Sequence, residues 1–372
     1  MNNAMLIIGI GAILCVGPVL AQSDHEQDVS VAGITFPDTI TDDQWKVFTA
    51  NVSAHADPPI TLKMMIRGEA GSEETMIQAA RRGRLQLAAP SLAGATSLVP
   101  ELAVLQLPFL FESAEQMDWI YDEVLPQQFR AAFADSGLVF LHWIDSGWLG
   151  FYGPKSFADP GKVAGVKLRT APTDAARLTA QQLSADAIYV PYPEIIPALQ
   201  TGLIEGGMTS DYGFVTGGMA AEVNVFTLTR HSYDTGMMLA NAAWYESLSA
   251  ANKTLFLSAY GDTSEFRTRS RAYTARELDH LPETAGTQVV TLTQQQRDHW
   301  AVITRPVHQA LLDRIGAPAE ALYAVIQDAK ARFDYGDDRN GMPGSSGVRS
   351  GSPGVTSGSP GVASGSPDKM SR

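Results

Sequence analysis

The chain has 372 residues, of which 45% are hydrophobic, and a formal net charge of −13 at pH 7. Its length and apolar content suffice for two domains of ordinary size. The acidic balance argues against nucleic acid as a partner, because proteins that bind phosphates carry basic patches.

The amino end predicts an exported protein. An almost unbroken apolar stretch runs from Met5 to Val19, and Val19-Leu20-Ala21 has the spacing that signal peptidase accepts, although no Lys or Arg precedes the stretch. We predict a signal peptide over residues 1–21, a periplasmic location and no stable membrane anchor, because the stretch is shorter than the roughly 20 residues that span a bilayer. The single cysteine, Cys15, lies in this segment, so the mature chain is expected to lack disulfides and cysteine-bound metals.

Strand-like and helix-like segments then alternate, which favours an α/β fold. Ser72 is placed to cap a helix that ends before Gly83, and the apolar residues 85–89 predict a strand that delivers Ser91 at its carboxyl end. Two further units repeat this alternation. The first has a strand over residues 165–169 and a helix from about Thr173 to Leu183, and the second has a strand over residues 188–190 and a short helix between Pro193 and Gly202.

Polar residues follow several of these segments. The strand over residues 165–169 ends in Arg169, and the chain after the short helix leads on to Thr209 and Ser210. Ligands in open α/β sheets lie beyond the carboxyl ends of the strands. We therefore expect these three residues and Ser91 to lie at one crevice.

The rest of the chain predicts helices and then a tail. Residues 249–281 form one long helix or two with a kink at Gly261, and further helices are expected over about Gln294 to Ile315 and Ala319 to Phe333. Near copies of a seven-residue Gly/Ser/Pro unit follow, without the apolar seam of a coiled coil. We predict that residues 337–372 are a disordered tail.

The sequence indicates no catalytic, cofactor or metal site. The seven histidines form no His-x-x-x-His or His-Glu-x-x-His arrangement, and the Gly-x-Ser-x-Gly elbow is absent. A structural hydrogen bond is the expected role of His231. The acidic pairs Glu73-Glu74 and Asp42-Asp43 are explained as charges that favour helix starts. We therefore predict that the protein is not an enzyme and has no cofactor and no metal.

Arg169 has the most informative setting. It follows the apolar residues Val166 and Leu168 at a predicted strand end, and a buried arginine is rare without an anionic partner. One interpretation is an internal salt bridge with Asp174 or Glu205. The other is a bidentate grip on a ligand carboxylate, for which the planar guanidinium is suited. The residues alone leave both alternatives open.

Four segments carry a family pattern, namely RRGRLQLA at residues 81–88, VPELAVLQLPFLF at 99–111, GVKLR at 165–169 and ALQTGLIEG at 198–206. Over roughly Val29 to Phe333 the chain resembles the substrate-binding proteins of tripartite ATP-independent periplasmic (TRAP) transporters, of the dicarboxylate-binding type. The resemblance implies a two-lobed α/β fold with hinge strands and a long helix spanning both lobes. Lobe I would comprise residues 29–145 plus about 235–280, and lobe II residues 146–234 plus about 281–335.

The resemblance also implies a binding site. The family arginine that ends the Gly-x-Lys-x-Arg strand grips the substrate carboxylate, and it corresponds to Arg169. Other residues placed along the cleft, or offered as its walls, are Pro90, Ser91, Leu92, Tyr192, Thr209, Ser210, Trp148, Tyr152 and Phe36. Many members carry Asn-Pro at the position of Thr209-Ser210, and some carry a second arginine near Leu149. Loss of that cation suggests a ligand with one carboxylate held by arginine, or one whose second polar end meets hydroxyls.

These features together predict a monomeric periplasmic binding protein for a small carboxylate, with the membrane subunits of a TRAP transporter as its partners. Three other classes stay open. The first is a secreted enzyme, whose turnover would depend on His231, and the second is a lobed sensor or scavenger without transport partners. The third is the binding protein of an ATP-driven transporter, against which the GVKLR and LPFLF segments argue.

Overall fold

The computed structural model describes residues 27–335, so the predicted signal peptide with Cys15 and the predicted tail lie outside the described residues. Two compact units divide the chain after Lys330, and of the second unit only residues 331–335 are described. The strands are β1 (Gln27–Gly33), β2 (Ile60–Met65), β3 (Leu87–Ala89), β4 (Leu138–Gly153), β5 (Lys167–Thr170), β6 (Asp186–Tyr189), β7 (Gly206–Ser210), β8 (Val225–Leu228), β9 (Tyr233–Asn241) and β10 (Gln288–Thr291).

The helices are α1 (Ile40–His55), α2 (Glu73–Arg81), α3 (Leu92–Ala95), α4 (Ala114–Trp119), α5 (Leu125–Ala134), α6 (Asp174–Gln182), α7 (Ile195–Gln200), α8 (Asp211–Thr216), α9 (Ala242–Ser247), α10 (Ala250–Ser258), α11 (Thr263–Thr284), α12 (Gln294–Thr304), α13 (Pro306–Ile315) and α14 (Ala317–Tyr335). Short 3₁₀ turns cover Pro100–Gln106, Pro160–Val163, Tyr192–Glu194 and Met219–Ala221, and a π turn covers Ile120–Val124. Within residues 27–335, none of these helices combines the length and apolar character needed to cross a membrane.

Strand β4 connects the two halves of the sheet. Residues 138–148 of β4 pair antiparallel with β9, which continues through β3 and β1 to β2. Residues 149–153 pair antiparallel with β7 and β8, and β7 continues through β5 to β6. The outer strands of each half are parallel, as expected for alternating strands and helices.

Each half of the sheet has its own buried apolar cluster. Trp45, Phe48 and Phe256 pack against β1 and β9 on one side, and Phe214 and Phe226 pack with Tyr152 of β4 on the other. Helix α11 packs against α1 and β4 and also against α8 and β10. The long helix therefore contacts both halves, as the family resemblance implied.

The structure confirms several predicted elements and divides two of them. Ser72 caps α2 by accepting a hydrogen bond from the Thr75 N–H at 3.3 Å. Residues 249–281 form α10 and most of α11, which are separated around Gly261. This glycine has a φ of +91°, a conformation that glycine adopts without steric strain. The stretch 294–315 is divided into α12 and α13 because Pro306 has no N–H to continue the helical ladder.

Candidate functional site

A cavity of about 170 Å³ opens between the two halves of the sheet. Six of the ten predicted ligand-binding residues line it, namely Phe36, Ser91, Arg169, Tyr192, Thr209 and Ser210. Arg169 lies on β5, Ser91 follows β3, and Thr209 and Ser210 end β7, so the structure brings the predicted strand ends to one crevice. A protein cavity of similar volume holds benzene, so this one admits a small organic molecule.

Arg169 presents part of its guanidinium to the cavity. The residue is 5% exposed, and its Nε and Nη1 donate to the carbonyls of Val190 (3.0 Å) and Met208 (3.1 Å). No carboxylate among residues 27–335 lies within 4.0 Å of it. Asp174 pairs with other arginines, and Glu205 accepts from the Lys167 N–H at 3.1 Å. The internal salt bridge considered for Arg169 is therefore wrong.

Ser91 acts on Glu73 rather than directly on the cavity. Its hydroxyl accepts from the Gly94 N–H (3.1 Å), which caps α3, and donates its one proton to Glu73 Oε2 at 2.8 Å. Its backbone N–H donates to Glu73 Oε1 at 2.6 Å. Because both donors of Ser91 are used, its geometry fits the role of holding Glu73 better than that of donating to a ligand carboxylate.

The other lining residues differ in what they can offer. Ser210 caps α8 by accepting from the Gly213 N–H at 3.0 Å, and the Tyr192 hydroxyl donates to the Gly213 carbonyl at 2.7 Å. The ring centroids of Phe36 and Tyr192 lie 6.1 Å apart, and Phe36 provides an apolar wall. Thr209 is buried at the end of β7, and its hydroxyl has no partner in the described chain. Thr209 therefore offers the cavity a free hydroxyl.

Four predicted residues do not line the cavity, and the structure corrects their placement. Trp148 packs edge-on against Tyr233, with ring centroids 4.9 Å apart, and borders a separate surface groove. Tyr152 and Leu92 are completely buried. The Pro90 carbonyl accepts from the Met237 N–H at 3.0 Å. These residues support the fold around the cavity.

Three acidic residues that the sequence did not assign to the site also line the cavity, namely Glu73, Glu74 and Asp234. Burial raises the pKa of Glu73, although the hydrogen bonds from Ser91 oppose this. Burial, followed by the charge of Glu73, raises the pKa of Asp234 to about 7. The earlier interpretation of Glu73 as only a helix-start charge is therefore incomplete, because its side chain reaches Ser91 inside the crevice.

His231 also lines the cavity and forms the expected hydrogen bond, with Nδ1 lying 2.7 Å from the Thr229 hydroxyl. Burial, with a smaller effect of the Arg297 charge, lowers the pKa of His231 to about 3, so its ring is neutral at pH 7. No group of three His, Asp or Glu side chains among residues 27–335 is arranged to hold a metal ion.

Asp211, at the start of α8, predicts a pH dependence of stability. Burial raises the pKa of this carboxyl to about 7 from an ordinary value of 3.8, despite the hydrogen bond from the Tyr212 N–H. Between these values the folded state holds a proton that the unfolded chain has released, so the free energy of unfolding falls as pH rises. We expect Asp211→Asn to make the decrease of the free energy of unfolding with pH less steep, by up to about 1.4 kcal/mol per pH unit.

Urea denaturation of the wild type and of Asp211→Asn at pH 5, 6, 7 and 8 measures this difference. Asp234, whose pKa is also raised to about 7, leaves some slope in the variant. Asp313→Asn, on the exposed side of α13, is the matched control and should follow the wild type. Parallel curves for wild type and Asp211→Asn would show that Asp211 is ionised in the folded state.

Comparison with known sequences identifies a family. Residues 32–314 match the family described as bacterial extracellular solute-binding protein, family 7. The C4-dicarboxylate-binding periplasmic protein DctP of Vibrio cholerae is 26% identical over 247 residues, which cover 66% of this chain and 74% of that protein. A solute-binding protein of Chromohalobacter salexigens is 26% identical over 220 residues, which cover 59% of this chain but 65% of that relative, slightly under two thirds of its length.

Solved structures share the fold. A TRAP periplasmic solute-binding protein from Shewanella oneidensis with bound succinate has a TM-score of 0.76 at 19% identity, covering 82% of this chain and 99% of that chain. The ectoine-binding protein of the TeaABC TRAP transporter of Halomonas elongata has a TM-score of 0.76 at 20% identity, with the same coverage. These likenesses confirm the predicted two-lobed α/β fold. Together with the match over residues 32–314, they establish that the chain belongs to family 7 of the bacterial extracellular solute-binding proteins.

Proposed function

We propose that this protein is a periplasmic solute-binding protein that captures a small organic acid between its two lobes and delivers it, as a monomer, to a TRAP-type membrane transporter. The observation that carries the proposal is Arg169, a buried arginine that lines the cavity and has no carboxylate partner in the described chain. A buried cation of this kind is stabilised when an anion binds it, and a carboxylate matches the planar guanidinium in a bidentate geometry.

We propose the lobe boundaries expected from the sequence, with residues 29–145 plus about 235–280 in one lobe and residues 146–234 plus about 281–335 in the other. Side chains from the two proposed lobes already meet around the cavity. The hydroxyls of Thr41 and Tyr212 lie 2.6 Å apart, and the Tyr189 hydroxyl donates to Glu74 at 3.2 Å. A ligand that touches Arg169 from one lobe and Glu73 from the other favours the closed arrangement over an open one.

The relatives support a small organic acid as the ligand. The structurally similar proteins include one from Shewanella oneidensis with bound succinate and one from Chromohalobacter salexigens with bound D-glucuronate. Delivery to a TRAP transporter is supported by the same relatives. His231, on which the alternative of a secreted enzyme depends, is buried and bonded to Thr229, which favours binding over catalysis.

A thermal-shift screen tests this function. We expect at least one of succinate, D-glucuronate and D-galactonate, each at 10 mM, to raise the unfolding temperature by several degrees, because a ligand that binds only the folded state stabilises it by RT ln(1 + [L]/Kd). The uncharged analogues succinamide and D-glucose are the controls and should leave the temperature unchanged. Equal shifts with charged and uncharged compounds, or none with any acid, would contradict carboxylate capture.

A further inference from the structure

The charged side chains that line the cavity are mostly acidic. Among residues 27–335, Glu73, Glu74 and Asp234 lie there with a single cation, Arg169. Arg169 is the independent sign that a ligand binds here, because it is buried and keeps guanidinium donors unused by the described chain. A ligand carboxylate that binds Arg169 therefore leaves the rest of the ligand beside acidic side chains.

Glu73 is held in place with spare acceptor capacity. Each of its carboxyl oxygens accepts one hydrogen bond from Ser91, at 2.6 Å from the backbone and 2.8 Å from the hydroxyl. An ionised carboxylate has about four acceptor positions, so each oxygen can accept one more donor. Because Glu73 lines the cavity, a molecule inside the cavity can supply that donor.

Asp234 is a second acceptor close to Glu73. It lies on β9, and its Oδ1 accepts from Gln106 Nε2 at 3.0 Å. Ser91, which holds Glu73, forms an isolated β-bridge with Gly236, two residues after Asp234, so the fold brings both acids to the same part of the cavity. After burial, the charge of Glu73 is the next cause that raises the pKa of Asp234. A hydrogen-bond donor or a positive charge between the two acids relieves the repulsion of their charges.

The described part of the chain offers no counter-charge in this cavity to a second ligand carboxylate. Leu149 gives the cavity an apolar wall, and the neighbouring His231 is neutral at pH 7. Arg169 is the sole Arg or Lys among the described residues that line the cavity. A dicarboxylate would therefore place its second anion near Glu73 and Asp234, where the charges repel.

We propose that the ligand is a monocarboxylate whose other end carries hydrogen-bond donors, either hydroxyl or ammonium groups, and that Glu73 and Asp234 accept hydrogen bonds from those donors. The inference rests on the proposed function, because Arg169 is assigned the carboxylate. It predicts that dicarboxylates bind weakly. Test compounds that carry either a hydroxyl or an ammonium group show which donor the site prefers.

Isothermal titration calorimetry with five six-carbon acids tests the preference on the whole mature chain. D-Gluconate and D-glucarate differ in a terminal hydroxyl or carboxylate, 6-aminohexanoate and adipate differ in a terminal ammonium or carboxylate, and hexanoate has no second polar end. We expect the donor-bearing acid of at least one pair to bind at least 10-fold more tightly than its dicarboxylate and than hexanoate. Equal or tighter binding of the dicarboxylate in both pairs, or no binding of any acid, would overturn the inference.

Variants of the two acids connect the preference to the proposed contacts. At pH 8, above the pKa of about 7 of Asp234, Glu73→Gln and Asp234→Asn should each reduce the ratio of affinities within the preferred pair at least 5-fold, because they remove negative charge that repels the second carboxylate. Glu283→Gln, on the exposed end of α11, removes the same charge and should leave the ratio unchanged. In Glu73→Gln the side-chain NH2 replaces an oxygen that accepts a hydrogen bond from Ser91, so this variant can unfold. If it does, Asp234→Asn still tests the proposal.

The two proposals fail in different ways. Binding that survives in Arg169→Ala contradicts the assignment of the carboxylate to Arg169, and with it the proposed function. A preference that is unchanged in both acid variants, while Arg169→Ala no longer binds, contradicts the role of Glu73 and Asp234 alone.

Discussion

Arg169→Ala is expected to weaken the binding of every acid that stabilises the wild type by about 100-fold or more. Removing one partner of a buried, hydrogen-bonded charge pair costs about 2–5 kcal/mol, and each 1.4 kcal/mol is a factor of ten in affinity. The variant also loses two hydrogen bonds, to the carbonyls of Val190 and Met208. Calorimetry measures the affinity, and circular dichroism with thermal unfolding shows whether the fold persists.

Arg169→Lys separates charge from geometry. Lysine keeps the positive charge but has no planar fork, so it cannot bond two backbone carbonyls and still offer paired N–H groups to a carboxylate. We expect an affinity at least 10-fold below the wild type. Arg276→Ala, in which an exposed side chain (61% accessible) is lost from α11, should bind like the wild type. Near-native affinity in either Arg169 variant would contradict the grip on the carboxylate.

The position of Arg169 could be predicted because the information is local. Apolar residues before it indicate a short buried strand, and the carboxyl ends of strands in an open α/β sheet face the ligand. The same reasoning brought Thr209 and Ser210 to the crevice. The residues alone could not decide the partner of Arg169. Asp174 lies five residues further along the chain and Glu205 precedes a neighbouring strand, and only the folded chain shows that both bond elsewhere.

Glu73 and Asp234 could not be assigned from local pattern. An acid in the first turn of a helix is sufficiently explained by the helix dipole, and only the fold brings Ser91, 18 residues away, against Glu73. Asp234 reaches the cavity because β9 lies between β3 and β4, a pairing that joins distant parts of the chain. Their roles depend on strand order, which one sequence does not reveal.

The predictions that Trp148 and Tyr152 wall the cavity failed because the strand register was unknown. Successive residues of a strand point to opposite faces, so a shift of one residue exchanges the cavity face for the core face. The ladder between β4 and β9 changes register between Asp145 and Gly147, immediately before Trp148. Leu149 consequently lines the cavity, whereas Trp148 packs on Tyr233. Such an irregularity has no clear signature in the sequence.

The second large effect is expected at Gly207, which holds Arg169 in place through the absence of a side chain. On β7 it pairs with Tyr152 of β4 and with Arg169 of β5. A Cβ at this position would lie 2.5 Å from Tyr152 Cζ and 2.9 Å from Arg169 Cβ, and it would also collide with the Tyr152 hydroxyl. Tyr152 is completely buried, so it has little room to move.

Gly207→Ala is therefore expected to lower the free energy of unfolding by about 1–3 kcal/mol, which is the usual cost of overpacking a core. We also expect at least a 10-fold loss of affinity, because a small displacement of Arg169 misaligns its fork with the ligand. Urea denaturation and calorimetry measure the two effects on the same preparation. Adding Tyr152→Phe removes the oxygen that collides with the new methyl group, and we expect the double variant to regain part of both losses.

Gly33→Ala, in β1, separates this collision from the general effect of replacing a strand glycine. A Cβ there would meet its nearest neighbour, Ala89 Cβ, at 3.5 Å, which is an ordinary van der Waals contact. Its stability should be unchanged or higher by up to about 1 kcal/mol, since alanine restricts the unfolded chain. If Gly207→Ala were as stable as Gly33→Ala and bound the acid as tightly as the wild type, the close approach of β7 to Arg169 would not control the site. A stable Gly207→Ala with weakened binding would instead show that the strands absorb the methyl group by moving Arg169 alone.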